Sequence, residues 1–246
     1  MRWRRSALAV LLLLSACTVG GPAPPPAPSP RPAAPEQSAE IVSAARLARL
    51  FDELAYGNPA SPEGTSPILV RWANRSLIYA IVGPASPGAE RRIAERLQHF
   101  QALTGVAATP GSEATATLVF EFVRGTRVPV RDELAACSTR TTYDAGGIRR
   151  ARIFIATEPP RTFAACLDHE LVHAYGFPHH SSVLPSVMGP IRMSDTLSEA
   201  DEAVLRALYD PRLGSGLTRE QAAPLLAQIF DEAVRVRPIS SRQLGA

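Results

Sequence analysis

Four of the five histidines in this 246-residue chain lie in the stretch HELVHAYGFPHH, residues 169–180. His169 and His173 are four residues apart, so on a helix they lie one turn apart on one face, where both rings can reach the same ion. Glu170 follows the first of them and projects near that ion without ligating it. Because such a cluster adds nothing to core packing, the spacing predicts a metal site.

The residues after the second histidine predict a third ligand. Gly176 can adopt a left-handed conformation that ends the helix, and the chain can then turn back to bring His179 to the same ion. The complete pattern, H-E-x-x-H-x-x-G-x-x-H, arises by chance in on the order of one in a hundred thousand chains of this composition. His180 stays open as the third ligand in place of His179, as a group that contacts a ligand, or as an exposed neighbour. His99 is expected in an ordinary surface or polar contact.

Two further features complete a resemblance to a known family. The stretch from His169 to His179 resembles the zinc-binding signature of the metzincin metallopeptidases. Met188, in PSVMGP, resembles the methionine of that family's Met-turn, whose side chain lies beneath the zinc. The run HSSVLPSVMGP, residues 180–190, is similar to the corresponding segment of matrixin-type members, with one additional residue because of His180.

The metzincin resemblance implies a function and a set of roles. It implies a zinc metalloendopeptidase acting on a protein or peptide substrate, with one catalytic zinc ion and with Glu170 as the general base that takes a proton from zinc-bound water. Met188 would form a structural floor under the metal. The implied zinc ligands are His169, His173 and His179. An additional donor to the oxyanion is not identified, and Tyr175 and Tyr209 are candidates by residue type alone.

A second resemblance concerns the C-terminal half. The segment LSEADEAVLRALYDPRLGSGLTREQA, residues 197–222, resembles a bacterial domain of unknown function, number 2927. Two hypotheses therefore stand: a zinc metallopeptidase, and an envelope lipoprotein that binds zinc or a protein partner without turnover. Glu170 favours the peptidase, because a protein without turnover has no need of the base.

The N-terminus predicts export and a lipid anchor. Residues 1–16 place arginines before a short apolar run, as in a secretory signal, and LSAC, ending at Cys17, resembles a bacterial lipobox. Thr18 favours the outer membrane as destination. The alternative is an ordinary cleaved signal peptide. Residues 17–36 would then form a lipidated, proline-rich tether.

The net charge bears on the class of partner, and the cysteine content bears on disulfide formation. Removal of residues 1–16 takes away three arginines and no acids, so 26 basic residues become 23, against 23 acidic residues, and the mature net charge is about zero. No nucleic-acid partner is therefore expected. An exported chain favours a disulfide between Cys137 and Cys166, with free buried thiols or Cys166 as a metal ligand as the alternatives.

The elements that must position the site follow from periodicity. Residues 37–246 are expected to form one α+β, metzincin-like domain with a short mixed sheet, an active-site helix and a helical C-terminal part. Residues 37–56 are predicted to form an amphipathic helix, either as an accessory element or as part of the core fold. The other predicted helices are residues 86–105, 159–176, 197–210 and 218–236, and the predicted strands are residues 66–73, 76–83, 116–125 and 149–158, with Cys137 in a loop.

Overall fold

Five helices and seven strands make up the part of the chain that the computed structural model describes, residues 41–130, 133–159, 161–189 and 195–240. The predicted signal peptide, Cys17 and the proline-rich tether lie outside the described residues. The helices are α1 (Ala44–Tyr56), α2 (Pro87–Thr104), α3 (Thr162–Tyr175), α4 (Glu199–Leu208) and α5 (Arg219–Val236). The strands are β1 (Ser76–Val82), β2 (Ala107–Pro110), β3 (Leu118–Val123), β4 (Val128–Val130), β5 (Glu133–Ala135), β6 (Cys137–Asp144) and β7 (Gly147–Ala156).

The main sheet has five strands in the order β2-β1-β3-β7-β6. The first four run parallel, whereas β6 pairs antiparallel with β7, with Thr139 opposite Ile153. The short strands β4 and β5 form a separate antiparallel pair. The predicted α+β class with a short mixed sheet is confirmed, and β6 forms one edge of that sheet.

The central strands are the most deeply buried. β3 and β7 are rich in β-branched and aromatic residues, and Phe120, Ile153 and Ile155 are fully buried. Parallel strands that are covered by helices on a face read as apolar runs of this kind. The sheet therefore forms the rigid floor on which α3, the histidine-bearing helix, is packed.

The helix ends follow the capping signals in the sequence. The Ser86 side chain accepts a hydrogen bond from the Ala89 amide at the start of α2, and Gly105 ends that helix with a φ of 70°. Gly176 ends α3 with a φ of 128°, and a Cβ atom there would lie 2.3 Å from the Val70 carbonyl oxygen. Only glycine fits at that position, so the predicted sharp end of α3 is confirmed.

Helix α1 is part of the core. Leu47, Leu50, Phe51 and Leu54 are fully buried. The Phe51 ring packs edge-on against the rings of Phe177 and Phe230, with centroid separations of 5.2 and 6.2 Å. The helix that the sequence left open as an accessory element thus contacts the segment that follows the histidine helix.

Two segments differ from the predicted elements. Residues 66–73 include bends and form only a single bridge to a described strand, between Trp72 and Ile148 of β7; the Leu69 amide instead donates to the Leu217 carbonyl at 2.8 Å. Its apolar side chains are buried between other elements, which explains the strand-like composition. Cys137, expected in a loop, begins strand β6. No described helix is both long and apolar enough to cross a membrane.

Candidate metal centre

Three histidine rings converge at the end of α3. His169 and His173 lie one helical turn apart, and the chain that turns back after Gly176 brings His180 to them. The Nε2 atom of His169 lies 3.2 Å from Nε2 of His173 and 3.2 Å from Nε2 of His180. One ligand atom from each of the three residues lies within 4.8 Å of the other two. The helical spacing thus brings the first two rings together as predicted.

The other nitrogen of each ring has an acceptor. The Nδ1–H group of His169 donates to the Val187 carbonyl at 2.7 Å, and that of His173 donates to the Phe177 carbonyl at 2.6 Å. His180 donates from Nδ1 to the Glu63 carboxylate at 2.6 Å. Carbonyl and carboxylate oxygens only accept, so Nδ1 carries a proton in each ring. In the neutral form of these rings the lone pair is therefore on Nε2, the atom that points into the cluster.

This arrangement fits a zinc ion. Converging lone pairs repel one another unless a cation lies between them. Zinc–nitrogen bonds of about 2.0–2.1 Å in a tetrahedral site imply nitrogen separations of about 3.3 Å. The observed separations of 3.2 Å agree with that value. Neutral imidazoles whose Nδ1–H is oriented by an oxygen acceptor are also the usual form of zinc-binding histidines.

Burial and the neighbouring rings favour the neutral form of His173. Burial lowers the pKa of His173 well below its usual value, and the neighbouring His169 and His180 lower it further. The neutral form is the one that ligates a metal, so the pocket favours the ligand state of this ring at neutral pH.

The structure differs from the sequence prediction at the third ligand. His179 points away from the cluster, and its Nε2 atom shares a 2.9 Å hydrogen bond with the Ser66 hydroxyl. Its amide donates to the Leu54 carbonyl at 3.2 Å, and a Cβ atom on Gly57 would lie 3.0 Å from its ring. Because His179 is buried against the end of α1, the next side chain, His180, is the one that reaches the cluster.

Glu170 lies beside the cluster, almost fully buried. Its Oε1 atom is 4.0 Å from Nε2 of His169, and its Oε2 atom accepts a 2.7 Å hydrogen bond from the Thr139 hydroxyl. The same hydroxyl lies 3.0 Å from the Glu170 carbonyl oxygen. Thr139 belongs to β6, so the edge strand of the sheet orients the carboxylate that the sequence analysis singled out as the base.

The segment around Met188 supports the first histidine. Met188 is fully buried, and its carbonyl accepts from the Ser181 amide at 3.0 Å, which ties this turn to the chain just after His180. The neighbouring Val187 provides the carbonyl that orients His169. Met188 thus lies in the core, next to the residue whose carbonyl orients His169.

A buried carboxylate from α4 organises this turn. Asp201 accepts from the Ser186 hydroxyl at 2.5 Å, from the Val187 amide at 3.2 Å, and from the Ser198 amide and hydroxyl, both at 2.8 Å. Burial raises the pKa of Asp201, and these hydrogen bonds oppose the increase. Asp201 therefore acts on His169 indirectly, by fixing the turn that carries the Val187 carbonyl.

Two cross-links hold α3 in place. Cys137 and Cys166 form the predicted disulfide, with Cα atoms 6.1 Å apart, and it joins the start of β6 to α3. On another side of the helix, Arg96 of α2 makes a bidentate ion pair with Asp168, at 2.6 and 2.9 Å. The links attach to Cys166 and Asp168, which lie within three residues of His169, so both limit movement of the turn that bears this histidine.

The tyrosines considered as oxyanion donors lie in the core. Tyr209 donates from its hydroxyl to the Tyr175 carbonyl at 2.9 Å, and both side chains are almost fully buried. Burial raises the pKa of each. The Tyr175 ring packs against the rings of Phe100 and Tyr209, with centroid separations of 4.9 and 6.1 Å. His99 makes a 2.9 Å contact with Glu202, in agreement with the ordinary role expected for it.

Sequence reasoning missed three residues of the site: Glu63, Thr139 and Asp201. Glu63 and Thr139 contact residues that are distant in sequence, His180 and Glu170. Asp201, in the first turn of α4, contacts the turn that carries Val187. Only Asp201 had a local signal, since it lies three residues after Ser198 in a capping-box pattern at the start of α4.

No curated protein matches the chain. Among solved structures, the chain is similar to archaemetzincin from Methanopyrus kandleri, at 12% identity over 65% of this chain and 98% of that chain, with a TM-score of 0.33. It is also similar to myroilysin, at 12% identity over 85% of this chain and 80% of that chain, with a TM-score of 0.31.

A family model gives the broader match. The model described as "Protein of unknown function (DUF2927)" matches residues 44–228. The similarity therefore extends well beyond the C-terminal half in which the sequence analysis expected it, and it includes α1 and the whole sheet. With the match covering most of its length, the chain belongs to the DUF2927 family.

Proposed function

We propose that the protein is a zinc-dependent metalloendopeptidase in which His169, His173 and His180 hold the zinc ion and Glu170 is the general base. The observation that carries the proposal is the convergence of three histidine rings beside a buried carboxylate, with Nε2 of His169 lying 3.2 Å from Nε2 of His173 and 3.2 Å from Nε2 of His180. The H-E-x-x-H spacing supplies the same base and the same first two ligands independently.

The chemistry follows from the positions of these groups. His169, His173 and His180 would hold the zinc ion as neutral imidazoles, and a zinc ion held there would supply the positive charge that acidifies water and polarises a peptide carbonyl. Glu170 accepts the proton of the attacking water and passes it to the leaving amine. The hydrogen bond from Thr139 limits the carboxylate to one orientation, so its other oxygen, Oε1, faces the histidine cluster.

An edge strand beside the site supports a polypeptide substrate. β6 forms an edge of the main sheet, and its residue Thr139 contacts Glu170 directly. A peptide in extended conformation can pair with such an edge through its backbone, irrespective of its side chains. We therefore propose that the substrate lies along β6, with the scissile carbonyl near the histidines.

The cellular setting is a further part of the proposal. The arginine-led apolar run of residues 1–16 and the LSAC sequence support export and lipid anchoring through Cys17 in a bacterial envelope, with the outer membrane favoured by Thr18. The Cys137–Cys166 disulfide is consistent with an oxidising compartment. The protease would then act on proteins or peptides at that membrane.

The test combines metal content with peptidase activity for the wild-type chain, Glu170→Ala and Glu95→Ala. Glu95, a half-exposed residue of α2, serves as the matched control for loss of a carboxylate. We expect one zinc per chain in all three, with cleavage of a peptide library reduced about 10²–10⁴-fold in Glu170→Ala alone. Zinc in all three without cleavage in any would support the rival function, a zinc- or protein-binding envelope protein. Absence of zinc would refute the site.

A further inference from the structure

One loop contacts both of the adjacent histidines. This loop, residues 57–66, which we call the Gly57–Ser66 loop, follows the end of α1. Glu63 contacts His180, and Ser66 contacts His179. The two histidines are consecutive in sequence, yet one ring enters the cluster and the other does not. The contacts of this loop can therefore determine which of the two histidines enters the cluster.

Glu63 holds both the ring and the backbone of His180. Its Oε1 atom accepts from Nδ1 of the ring at 2.6 Å, and its Oε2 atom accepts from the His180 amide at 3.1 Å. Two contacts from one carboxylate fix the direction of the Cα–Cβ bond as well as the rotation of the ring. Nε2 of His180 consequently points at Nε2 of His169.

Ser66 and Gly57 hold His179 on the other side. The Ser66 amide donates to the Tyr56 carbonyl at 2.9 Å, which anchors the end of the loop to α1, and its hydroxyl lies 2.9 Å from Nε2 of His179. Gly57 has a φ of 79°, and a Cβ atom there would lie 2.4 Å from the Gly64 carbonyl oxygen and 3.0 Å from the His179 ring. The loop thus folds back closely enough to form the wall against which His179 packs.

We propose that the Gly57–Ser66 loop selects His180 rather than His179 as the third zinc ligand, with Glu63 as a positioning residue that acts through His180. This assignment rests on the proposed zinc site and adds to it a determinant more than one hundred residues away in sequence. Ser66 has the complementary role of retaining His179 outside the cluster. Such outer contacts of zinc-binding histidines typically change metal affinity 10–100-fold.

The experiment measures the zinc dissociation constant of the full chain by competition with a chelator. We expect Glu63→Ala to weaken zinc binding about 10–100-fold. Glu63→Gln should weaken it less, because its amide oxygen still accepts from Nδ1 while its N–H₂ group cannot accept from the His180 amide. Glu95→Ala, the exposed-carboxylate control, should leave the constant unchanged. Because the Glu63 side chain is 37% exposed, its loss should not lower the melting temperature of the metal-free chain.

A double-mutant cycle separates positioning from a general effect. In a His180→Ala background, Glu63→Ala should change the zinc dissociation constant by less than about twofold, because the ring on which Glu63 acts is gone. The loop assignment is overturned if Glu63→Ala binds zinc as well as the wild type, or if it weakens binding equally in both backgrounds. A wild-type chain that binds no zinc would overturn the site itself, whereas a zinc-binding wild type with an indifferent Glu63→Ala overturns the loop assignment alone.

Discussion

The histidine cluster is supported in two different ways. On the α3 side, backbone carbonyls of Val187 and Phe177 orient His169 and His173, and the turn that carries Val187 is fixed by a buried carboxylate. On the loop side, the carboxylate of Glu63, 37% exposed, orients His180. One support is continuous with the hydrophobic core, and the other is a single side chain at the surface.

Because the two supports differ, substitutions on the two sides should affect folding stability and zinc affinity differently. A residue on the core side cannot be changed without disturbing packing, because the same contacts hold the fold and the ligand. A residue on the loop side acts on one ring, so its loss affects zinc binding and little else. Substitutions on the two sides should therefore give different combinations of unfolding free energy and zinc affinity.

The largest effect is expected on the core side. Asp201→Asn removes a negative charge on which four hydrogen bonds converge, and it replaces the oxygen that faces the Ser186 hydroxyl with an N–H₂ group, in a position that is 1% exposed. We expect the variant to lose about 3 kcal/mol of unfolding free energy and also to bind zinc more weakly, because the Val187 carbonyl moves. Urea denaturation of the metal-free chain and chelator competition measure the two quantities.

The control for this substitution is Asp231→Asn, at an exposed position of α5. It should change the unfolding free energy by less than about 0.5 kcal/mol. The contrast between core and loop would fail if Asp201→Asn retained wild-type stability, or if it lost stability while zinc affinity stayed unchanged.

A smaller effect concerns pH. Burial lowers the pKa of His173 in the folded chain, so protons bind the unfolded chain more readily. The stability that this ring contributes is complete above its unfolded pKa of about 6.5 and is lost as the pH falls below that value. The metal-free chain should lose up to about 1.4 kcal/mol per pH unit from this ring between about pH 6.5 and pH 5.5.

Urea denaturation in the presence of a chelator measures this dependence. His173→Gln removes the titrating group, so its unfolding free energy should vary less with pH than that of the wild type. Burial also lowers the pKa of His179, so part of the dependence should persist in the variant. Equal pH dependence in the wild type and in His173→Gln would contradict the account, because it would show that folding does not lower the pKa of His173.

Sequence reasoning succeeded where the determinants are local. The spacing of His169 and His173, the cap at Ser86 and the positive φ of Gly176 depend on residues within one or two turns, and the structure agrees with each. The disulfide was also within reach, because few cysteines were available to pair.

Long-range contacts explain what sequence reasoning did not find. Periodicity cannot distinguish His179 from His180, because the choice depends on Glu63 and Ser66, which are 117 and 113 residues away from their partners. Strand β6 was missed because its polar alternation, CSTRTTYD, resembles a loop. An edge strand with one polar face is defined by its neighbour, here β7, and not by its own composition.

The most direct measurement compares zinc binding by His180→Ala and His179→Ala, two substitutions of the same kind at adjacent positions. The account predicts that His180→Ala weakens binding by more than the 10–100-fold expected for an outer contact, while His179→Ala retains one zinc per chain with an affinity close to that of the wild type. The reverse result, with zinc lost in His179→Ala and retained in His180→Ala, would contradict it and restore the ligand set that the sequence spacing alone implies.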